Sequence, residues 1–269
     1  MVNRMKNWLL RFGIIIVFLY ILFCGLFYFF QERFIFYPTK LDKDYSFTFD
    51  QPFEEMNILT ADGNALNGLL FKVDSAKGVV FYLHGNAGAL NNWGRIAPVY
   101  TGLGYDVFFL DYRGFGKSEG TIDSQKQLLQ DVQIAYDEIK KRYSEDKIVV
   151  IGFSIGTGPA AYLASENKPS KLILQAPYYS LTNVIQDFCL VIPSFVIKYK
   201  LETYEYLENC KVPITIFHGD KDRTIRHNNS VMLSKHLKEN DNFITLYGEV
   251  HNGITENDVY RQRLAEILE

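Results

Sequence analysis

The longest apolar stretch of the chain lies near its amino terminus. Residues 12–30 read FGIIIVFLYILFCGLFYFF, without a charged side chain. A helix rises about 1.5 Å per residue, so this run would nearly cross a hydrocarbon core about 30 Å thick. Trp8, Tyr28 and Tyr37 lie where interfacial aromatic residues are expected. The pattern therefore predicts a transmembrane helix.

A cleaved signal peptide is the competing interpretation of this run. The apolar core of a signal peptide is usually about 7–15 residues long, which is shorter than the run seen here. No small-x-small cleavage site follows it, and the bulky Phe23 before Cys24 disfavours a lipoprotein signal. We therefore predict an uncleaved signal anchor in residues 1–32, followed by one globular domain in residues 33–269.

The orientation of the anchor depends on the flanking charges. Three Lys or Arg residues precede the run and three follow it: Arg4, Lys6 and Arg11, then Arg33, Lys40 and Lys43. The free amino terminus and the acidic residues after the run, Glu32, Asp42 and Asp44, decide between the two orientations. We expect the amino terminus in the cytoplasm and the globular domain on the extracytoplasmic side.

The pattern after the anchor changes to strands. Residues 53–60 and 65–73 alternate between apolar and polar positions, and Ala61-Asp62-Gly63-Asn64 joins them, which predicts an antiparallel hairpin. Short continuous apolar runs then recur at residues 79–83, 107–110, 148–153, 172–174, 214–217 and 243–247. Such runs are typical of strands buried on both faces of a mostly parallel sheet.

Helical spacing separates these runs. It covers residues 124–143, the segment after Ser154, residues 228–238 and residues 255–268. Strand and helix alternate, so the predicted class is α/β, with helices on both faces of the central sheet. Residues 177–210 depart from the alternation: they are apolar, contain Pro193 and predict a small cap inserted over the edge of the sheet.

Composition narrows the classes of partner. With 48% hydrophobic residues the chain can bury a full core, and its net charge of −3 provides no broad basic surface for nucleic acid. Cys24, Cys189 and Cys210 lack the spacing of a zinc site. Cys189 and Cys210 could form a disulfide in an oxidising compartment, and the spacing leaves that question open.

A candidate nucleophile lies at residue 154. Gly152-Phe153-Ser154-Ile155-Gly156 matches G-x-S-x-G, with an apolar strand before it and a helical run after it. Glycines on both sides relieve the crowding of a tight strand-to-helix turn. The bare pattern also occurs by chance in glycine-rich turns. The strand and helix around it favour a catalytic Ser154.

A glycine-rich segment, His84-Gly85-Asn86-Ala87-Gly88, follows the strand at 79–83. An acyl-transfer enzyme of this topology needs backbone N–H donors there, close to the attacked carbonyl. We predict the N–H groups of Asn86 and Ile155 as these donors, although a simple connecting turn would also use glycines. His84 could be proposed as a general base, but we expect it to organise the loop.

The candidate acid and base follow later strands. Asp220 and Asp222 come after the strand at 214–217, and His251 comes after the strand at 243–247. Open α/β sheets form their sites at these carboxyl ends. An imidazole can take and return the serine proton, and a carboxylate can orient the imidazole. Either Asp could serve, and either could be a turn residue.

The remaining histidines are less suited to the role of base. His218 closes a strand, whereas His227 and His236 fall on or beside a predicted helix and are expected at the surface. His251 is the histidine in the loop after the last strand.

With these residues the sequence resembles the alpha/beta-hydrolase superfamily, specifically its membrane-anchored branch with an HGNxG motif. The resemblance is carried by Arg33-Phe-Ile-Phe-Tyr-Pro38, residues 84–88, residues 111–120 (DYRGFGKSEG), the Ser154 turn and His218-Gly-x-x-Asp222. It implies the alpha/beta-hydrolase fold and Asp222 as the triad acid. Asp111, Arg113 and Ser118 then belong to a structural loop.

The resemblance and the motifs together predict a serine hydrolase that cleaves a carboxylester or thioester, with Ser154, Asp222 and His251 as its triad and no metal or organic cofactor. An apolar cap on a tethered domain makes lipid-like acyl groups the expected substrates. The residues Arg223-Thr224 and Glu249-Val250 replace more usual apolar residues beside the triad, which bears on the substrate. An aminopeptidase or amidase with the same triad, and a non-catalytic binding protein, are the alternatives.

Overall fold

The computed structural model describes residues 2–269. Its helices are α1 (Val2–Phe30), α2 (Glu32–Ile35), α3 (Leu90–Trp93), α4 (Ala97–Thr101), α5 (Gln125–Lys140), α6 (Thr157–Glu166), α7 (Leu181–Phe188), α8 (Thr203–Asn209), α9 (Asn228–Leu233) and α10 (Asp258–Leu268). Its strands are β1 (Phe53–Leu59), β2 (Ala65–Phe71), β3 (Val79–Leu83), β4 (Asp106–Leu110), β5 (Ile148–Phe153), β6 (Lys171–Gln175), β7 (Ile214–Gly219) and β8 (Asn242–Leu246).

The eight strands form one sheet in the order β1-β2-β4-β3-β5-β6-β7-β8. Strand β2 is antiparallel to both β1 and β4, and every pairing from β4 to β8 is parallel. The predicted hairpin is confirmed, with Leu59 of β1 opposite Ala65 of β2. The parallel strands all end at the same edge of the sheet, which brings their following loops together.

The core lies on both faces of the sheet. On one face Phe81 packs against Tyr136 of α5 in the cluster that also includes α6 and α8. On the other face Phe217 packs against Tyr260 of α10. The continuous apolar runs are explained by this arrangement, because every residue of β3, β4 and β5 is buried. Each large buried side chain contributes about 1.5–3 kcal/mol.

The predicted element boundaries shift at the helix ends. Helix α5 begins one residue late because Ser124 is its N-cap and accepts a hydrogen bond from the Gln127 N–H. Helix α10 begins at Asp258 rather than 255, because residues 254–256 form a 3₁₀ turn and the Asn257 side chain caps the helix. Helix α9 ends at Leu233, followed by a 3₁₀ turn at 234–236.

Helix α1 is long and apolar enough to cross a membrane. Residues 3–30 contain a window with a mean hydropathy of 2.6, none of it buried in the protein. Its end is fixed to the domain by Gln31, which is buried and donates from Nε2 to the Val196 carbonyl at 3.1 Å. Gln31 Oε1 accepts from the Lys198 N–H at 2.8 Å. Helix α1 is therefore joined to the rest of the chain by a buried, hydrogen-bonded contact.

The segment 177–210 connects β6 to β7, which are neighbours in the sheet. It contains α7, a 3₁₀ turn at Ser194–Val196 and α8. Helix α8 packs against α6, while Tyr199 and Leu201 are buried in the core. The stretch between α7 and the 3₁₀ turn is exposed instead. Its role as a small cap stays a prediction.

Candidate active site

Ser154 lies on a sharp turn between β5 and α6. Its φ is +52°, in the left-handed region that costs a non-glycine residue free energy, and its side chain is buried. The flanking glycines are required by space. A Cβ on Gly156 would lie 2.2 Å from the Leu83 carbonyl oxygen, and one on Gly152 would lie 2.6 Å from the Gly156 carbonyl oxygen. The turn therefore needs the G-x-S-x-G pattern.

The structure brings together Ser154, His251 and Asp222 from three separate loops. The His251 Nε2 lies 2.9 Å from the Ser154 Oγ, and its Nδ1 lies 2.6 Å from the Asp222 Oδ2. A carboxylate only accepts, so His251 Nδ1 must carry the proton. Nε2 is then free to accept the proton of the serine hydroxyl. The arrangement can generate a nucleophilic serine oxygen.

Asp222 is buried and strongly hydrogen-bonded. Its Oδ1 accepts from the N–H groups of Thr224 at 2.8 Å and Ile225 at 2.9 Å. Its Oδ2 also lies 3.2 Å from His218 Nε2. Burial alone would raise the pKa of Asp222, but the hydrogen bonds from His218 and His251 outweigh it and lower the pKa below its usual range. Asp222 is therefore a carboxylate at neutral pH.

His218 contacts the same carboxylate oxygen of Asp222 as His251 does. It is completely buried, and its Nε2 lies 2.9 Å from the Ile225 carbonyl oxygen as well as close to Asp222. Both partners accept, so Nε2 carries the proton and Nδ1 accepts from the Ser230 hydroxyl at 2.6 Å. The sequence analysis assigned His218 no role beyond closing a strand. Its position four residues before Asp222 was the available signal.

Asp220, the other carboxylate candidate, has a different partner. Its Oδ1 accepts from the Gly248 N–H at 2.6 Å, and Lys221 Nζ lies 3.5 Å from its Oδ2. Within residues 2–269 it makes no hydrogen bond to His251. Asp220 thus ties the loop after β7 to the loop after β8, whereas Asp222 contacts the imidazole.

The loop that follows β3 is held by the chain just after the anchor. The Asn86 Oδ1 accepts from the Tyr37 N–H at 3.0 Å, and its Nδ2 donates to the Ile35 carbonyl at 2.5 Å. The Thr39 N–H donates to the Gly88 carbonyl at 3.3 Å. The sequence indicated Asn86 for its backbone N–H and did not predict these side-chain contacts. Residues 35–39 therefore belong to the wall of the site.

Ile155, the second predicted donor, directly follows the nucleophile. It lies in the buried 3₁₀ turn Ser154–Gly156. The Tyr178 hydroxyl donates to the Ile155 carbonyl at 3.0 Å and thereby holds the backbone of this turn. Strands β3 and β5 are adjacent, so the Asn86 loop and the Ile155 turn begin from neighbouring strand ends. Their N–H groups remain the predicted oxyanion donors.

His84 is not free to act as a base. Its Nδ1 lies 2.8 Å from the Gly85 carbonyl oxygen, which only accepts, so Nδ1 carries a proton. Its Nε2 lies 3.1 Å from Asp111 Oδ1. Burial raises the pKa of Asp111, although the hydrogen bond with His84 opposes this. These contacts agree with the loop-organising role expected of His84.

The segment 111–120 is occupied by structural contacts. Arg113 is buried and ion-paired with Asp131, and its Nη1 lies 2.7 Å from Asp62 Oδ2. The Ser118 hydroxyl donates to the Asp111 carbonyl at 2.7 Å. These polar groups link β2, β4 and α5, as expected for a structural loop.

Two histidine assignments are corrected. His227 and His236 are half-buried rather than exposed: His227 packs on Phe243, and the ring of His236 packs against Tyr179 and Tyr204. Helix α9 is short and lies close to β8 and α8, so its flanking residues become covered. The three cysteines are unpaired, and residues 2–269 contain no cluster of three or more metal-binding side chains.

Known proteins resemble the chain in both sequence and fold. A family model described as serine aminopeptidase, S33, matches residues 74–201. The alpha/beta hydrolase domain-containing protein 17B of Xenopus laevis is 26% identical over 219 residues, covering 78% of this chain and 73% of the relative. A solved esterase from Pyrococcus furiosus superposes with a TM-score of 0.69 at 19% identity, covering 87% of this chain and 97% of the esterase.

The predicted alpha/beta-hydrolase fold is confirmed, because the superposition covers nearly the whole of the esterase. Another relative of the chain is the lysophosphatidylserine lipase of Macaca fascicularis, which is 28% identical over 172 residues, covering 56% of this chain and 43% of the lipase. The resemblances describe an esterase-like or lipase-like hydrolase.

Proposed function

We propose that this alpha/beta hydrolase cleaves a carboxylester or thioester through a covalent acyl-enzyme. The observation that carries the proposal is the continuous set of hydrogen bonds from Ser154 Oγ to His251 Nε2 at 2.9 Å and from His251 Nδ1 to Asp222 at 2.6 Å. A serine, a base within hydrogen-bond reach and a carboxylate that orients the base are the parts that nucleophilic acyl transfer requires.

In the first step Ser154 Oγ forms a bond to the acyl carbon while His251 Nε2 takes the hydroxyl proton. The C–O or C–S bond of the substrate then breaks, and His251 returns the proton to the leaving alcohol or thiol. Water next attacks the acyl carbon while His251 Nε2 takes a proton from it. The bond from the acyl carbon to Ser154 Oγ then breaks, His251 returns the proton to Ser154, and the carboxylic acid leaves. Asp222 stays ionised throughout and stabilises the imidazolium, consistent with the lowered pKa of its carboxyl group.

The oxyanion formed in each step would accept hydrogen bonds from the N–H groups of Asn86 and Ile155. The contacts of Ile35 and Tyr37 with the Asn86 side chain immobilise that loop before substrate binds. Donors fixed in advance cost no reorganisation during the reaction. Every group in this mechanism belongs to the chain itself, so it requires neither a metal nor an organic cofactor.

We further infer that the substrate carries a lipid-like acyl group. The apolar helix α1 ends only five residues before Ile35, which contacts the Asn86 loop. The site therefore lies close to the base of the proposed anchor. A relative of the chain is named a lysophosphatidylserine lipase, which is compatible with a lipid substrate here.

We also propose that α1 is a single-pass anchor with the hydrolase domain on the extracytoplasmic side. Equal numbers of Lys and Arg residues flank the two ends of α1, so these cations favour neither orientation. The acidic residues Glu32, Asp42 and Asp44 favour an extracytoplasmic location for the segment after α1. We expect protease added to intact cells, after removal of any outer wall or membrane, to degrade residues 33–269. Degradation only after the membrane is permeabilised would instead place the domain in the cytoplasm.

Amide hydrolysis is the second candidate, because the matching family model is described as a serine aminopeptidase. The same triad could cleave amide bonds. Parallel assays with p-nitrophenyl esters, acyl thioesters and aminoacyl p-nitroanilides separate the two activities. Turnover of anilides without turnover of esters would replace the ester proposal.

The central test is labelling of the full chain in detergent with a fluorophosphonate, followed by mass spectrometry of the peptides. We expect hydrolysis of p-nitrophenyl esters and a single adduct on Ser154. Ser230 also lies within hydrogen-bond distance of a histidine, His218, but Ser230 is completely buried and should not react with the probe. A heat-denatured sample should not be labelled. A folded protein that is neither labelled nor active would support the non-catalytic alternative.

A further inference from the structure

An exposed apolar surface lies beside the anchor. Its four large side chains, here called the apolar patch, are Phe188, Leu190, Val191 and Phe195, with exposed fractions of 73%, 85%, 58% and 82%. Residues 188–197 contain no charged side chain. Such a cluster is costly in water, and on a soluble domain it indicates an interaction surface.

The patch is attached to α1 inside the apolar run. The Tyr20 hydroxyl donates to the Val191 carbonyl at 2.9 Å. Tyr20 lies ten residues before the end of α1 at Phe30, which corresponds to about 15 Å along the helix axis. If α1 crosses the membrane, the Val191 backbone cannot lie in bulk water, because its partner belongs to the part of α1 surrounded by acyl chains.

Four carbonyls beside the patch are hydrogen-bonded within the protein. In hydrocarbon an unpaired carbonyl costs several kcal/mol, so internal partners lower the cost of placing an irregular segment there. The Ile192 carbonyl accepts from Gln186 Nε2 at 3.2 Å, and the Cys189 carbonyl accepts from the Ile192 N–H at 3.2 Å. The carbonyls of Val191 and Val196 accept from Tyr20 and Gln31.

Charged residues mark where the apolar segment ends. Asp187 lies 3.7 Å from Arg226 on one side. On the other side Lys198 Nζ lies 2.5 Å from Glu32 and 5.4 Å from the Tyr28 ring centroid. Lysine and tyrosine at this position are typical of the membrane–water interface. The patch lies between the two ion pairs, next to the helix.

We propose that the apolar patch is a second membrane contact, which inserts among the acyl chains of the leaflet on the side of the hydrolase domain. The proposal rests on the anchor given under the proposed function, and it fixes the orientation of the domain as well as its attachment. One helix alone would allow the domain to rotate and tilt. Two contacts would hold the domain in one orientation. The loop that contains Asn86, which Ile35 binds, then faces the lipid surface, where membrane-resident acyl substrates are found.

Depth-dependent fluorescence quenching tests the insertion without requiring catalysis. In full-length Trp8→Phe protein, Leu190→Trp and Phe195→Trp each add a reporter to the patch, and the signal of the remaining native Trp93 is measured in the Trp8→Phe protein and subtracted. Lys147→Trp is the control, because Lys147 is exposed at the amino end of β5, the sheet edge opposite Ser154. The proteins are reconstituted into phosphatidylcholine vesicles with bromine on the acyl chains. We expect both patch reporters to be quenched and the control to be unaffected. The Leu190→Trp reporter should lie near the depth of Tyr20, about 15 Å along α1 from Phe30, because Val191 is hydrogen-bonded to Tyr20.

Native Trp8 at the start of α1 serves as the reference for the anchor. Quenching of Trp8 without quenching of either patch reporter would overturn the patch proposal and leave the anchor intact. Absence of quenching at Trp8 as well would overturn both. The patch could instead join two copies of the chain and so exclude brominated lipid. Chemical cross-linking would then give dimers that are lost in Leu190→Asp, and this result would also overturn the proposal. Failure of the hydrolase proposal would appear only in the labelling assay.

Discussion

Ser154→Ala should lower the kcat for ester hydrolysis by roughly 10⁶-fold, to the level left by the oxyanion donors and substrate binding alone. The substitution removes the Ser154 Oγ, which lies 2.9 Å from His251 Nε2. Alanine has no oxygen with which to form the acyl-enzyme. The measurement is the initial rate on p-nitrophenyl esters, together with loss of fluorophosphonate labelling.

The matched control for this variant is Ser165→Ala. Ser165 lies on α6, the helix that follows the nucleophile, and its hydroxyl donates to the Tyr162 carbonyl. Its loss should leave the rate within about three-fold, because removal of a hydroxyl that bonds only its own helix usually changes stability by less than 1 kcal/mol. Equal activity of the Ser154→Ala variant and the native protein would show that another residue is the nucleophile.

Asp222→Asn should lower kcat by roughly 10⁴-fold, the cost of an equivalent change in a serine triad. The carboxylate oxygen that lies 2.6 Å from His251 Nδ1 is replaced by one end of an amide. That end is either an NH₂ group, which donates, or a carbonyl oxygen, which carries no full negative charge. The imidazole then adopts the wrong tautomer or loses the partner that stabilises its charged form. Fluorophosphonate labelling should become slow and remain on Ser154.

Asp220→Asn is the control, since the two aspartates are two residues apart in one loop. The Asn oxygen can still accept the Gly248 N–H that Asp220 binds at 2.6 Å, so the rate should stay within about three-fold. Both variants are compared by thermal unfolding in detergent, because Asp222 also accepts hydrogen bonds from Thr224 and Ile225. A larger loss for Asp220→Asn than for Asp222→Asn would contradict the assignment of the triad acid.

Residues 35–39 contact the candidate site although they follow closely after α1. Ile35 and Tyr37 bind Asn86, and Thr39 binds the following Gly88. From their position between a long apolar helix and the first strand, these residues would be interpreted as a linker. Their contacts instead join the loop after β3 to the end of α1.

The sequence by itself determined the class of fold and the candidate residues. Strands buried on both faces require continuous apolar runs, and a sharp nucleophile turn requires glycines where a Cβ would meet the backbone, as at Gly152 and Gly156. These are local requirements of the backbone and of burial, so they leave a local pattern. The long helix α1 was predicted for a similar reason, because length and apolarity are visible in the sequence.

Only the tertiary structure decided which groups face one another. Asp220 and Asp222 have the same chemistry in the same loop. Apart from the family resemblance, the sequence does not distinguish them, and in the structure β8 positions His251 beside Asp222. Other contacts join distant parts of the chain. Ile35 and Tyr37 bind Asn86 across 51 and 49 positions, and Tyr20 binds Val191 across 171 positions. Periodicity and local spacing do not predict these long-range contacts, because the path of the intervening chain determines them.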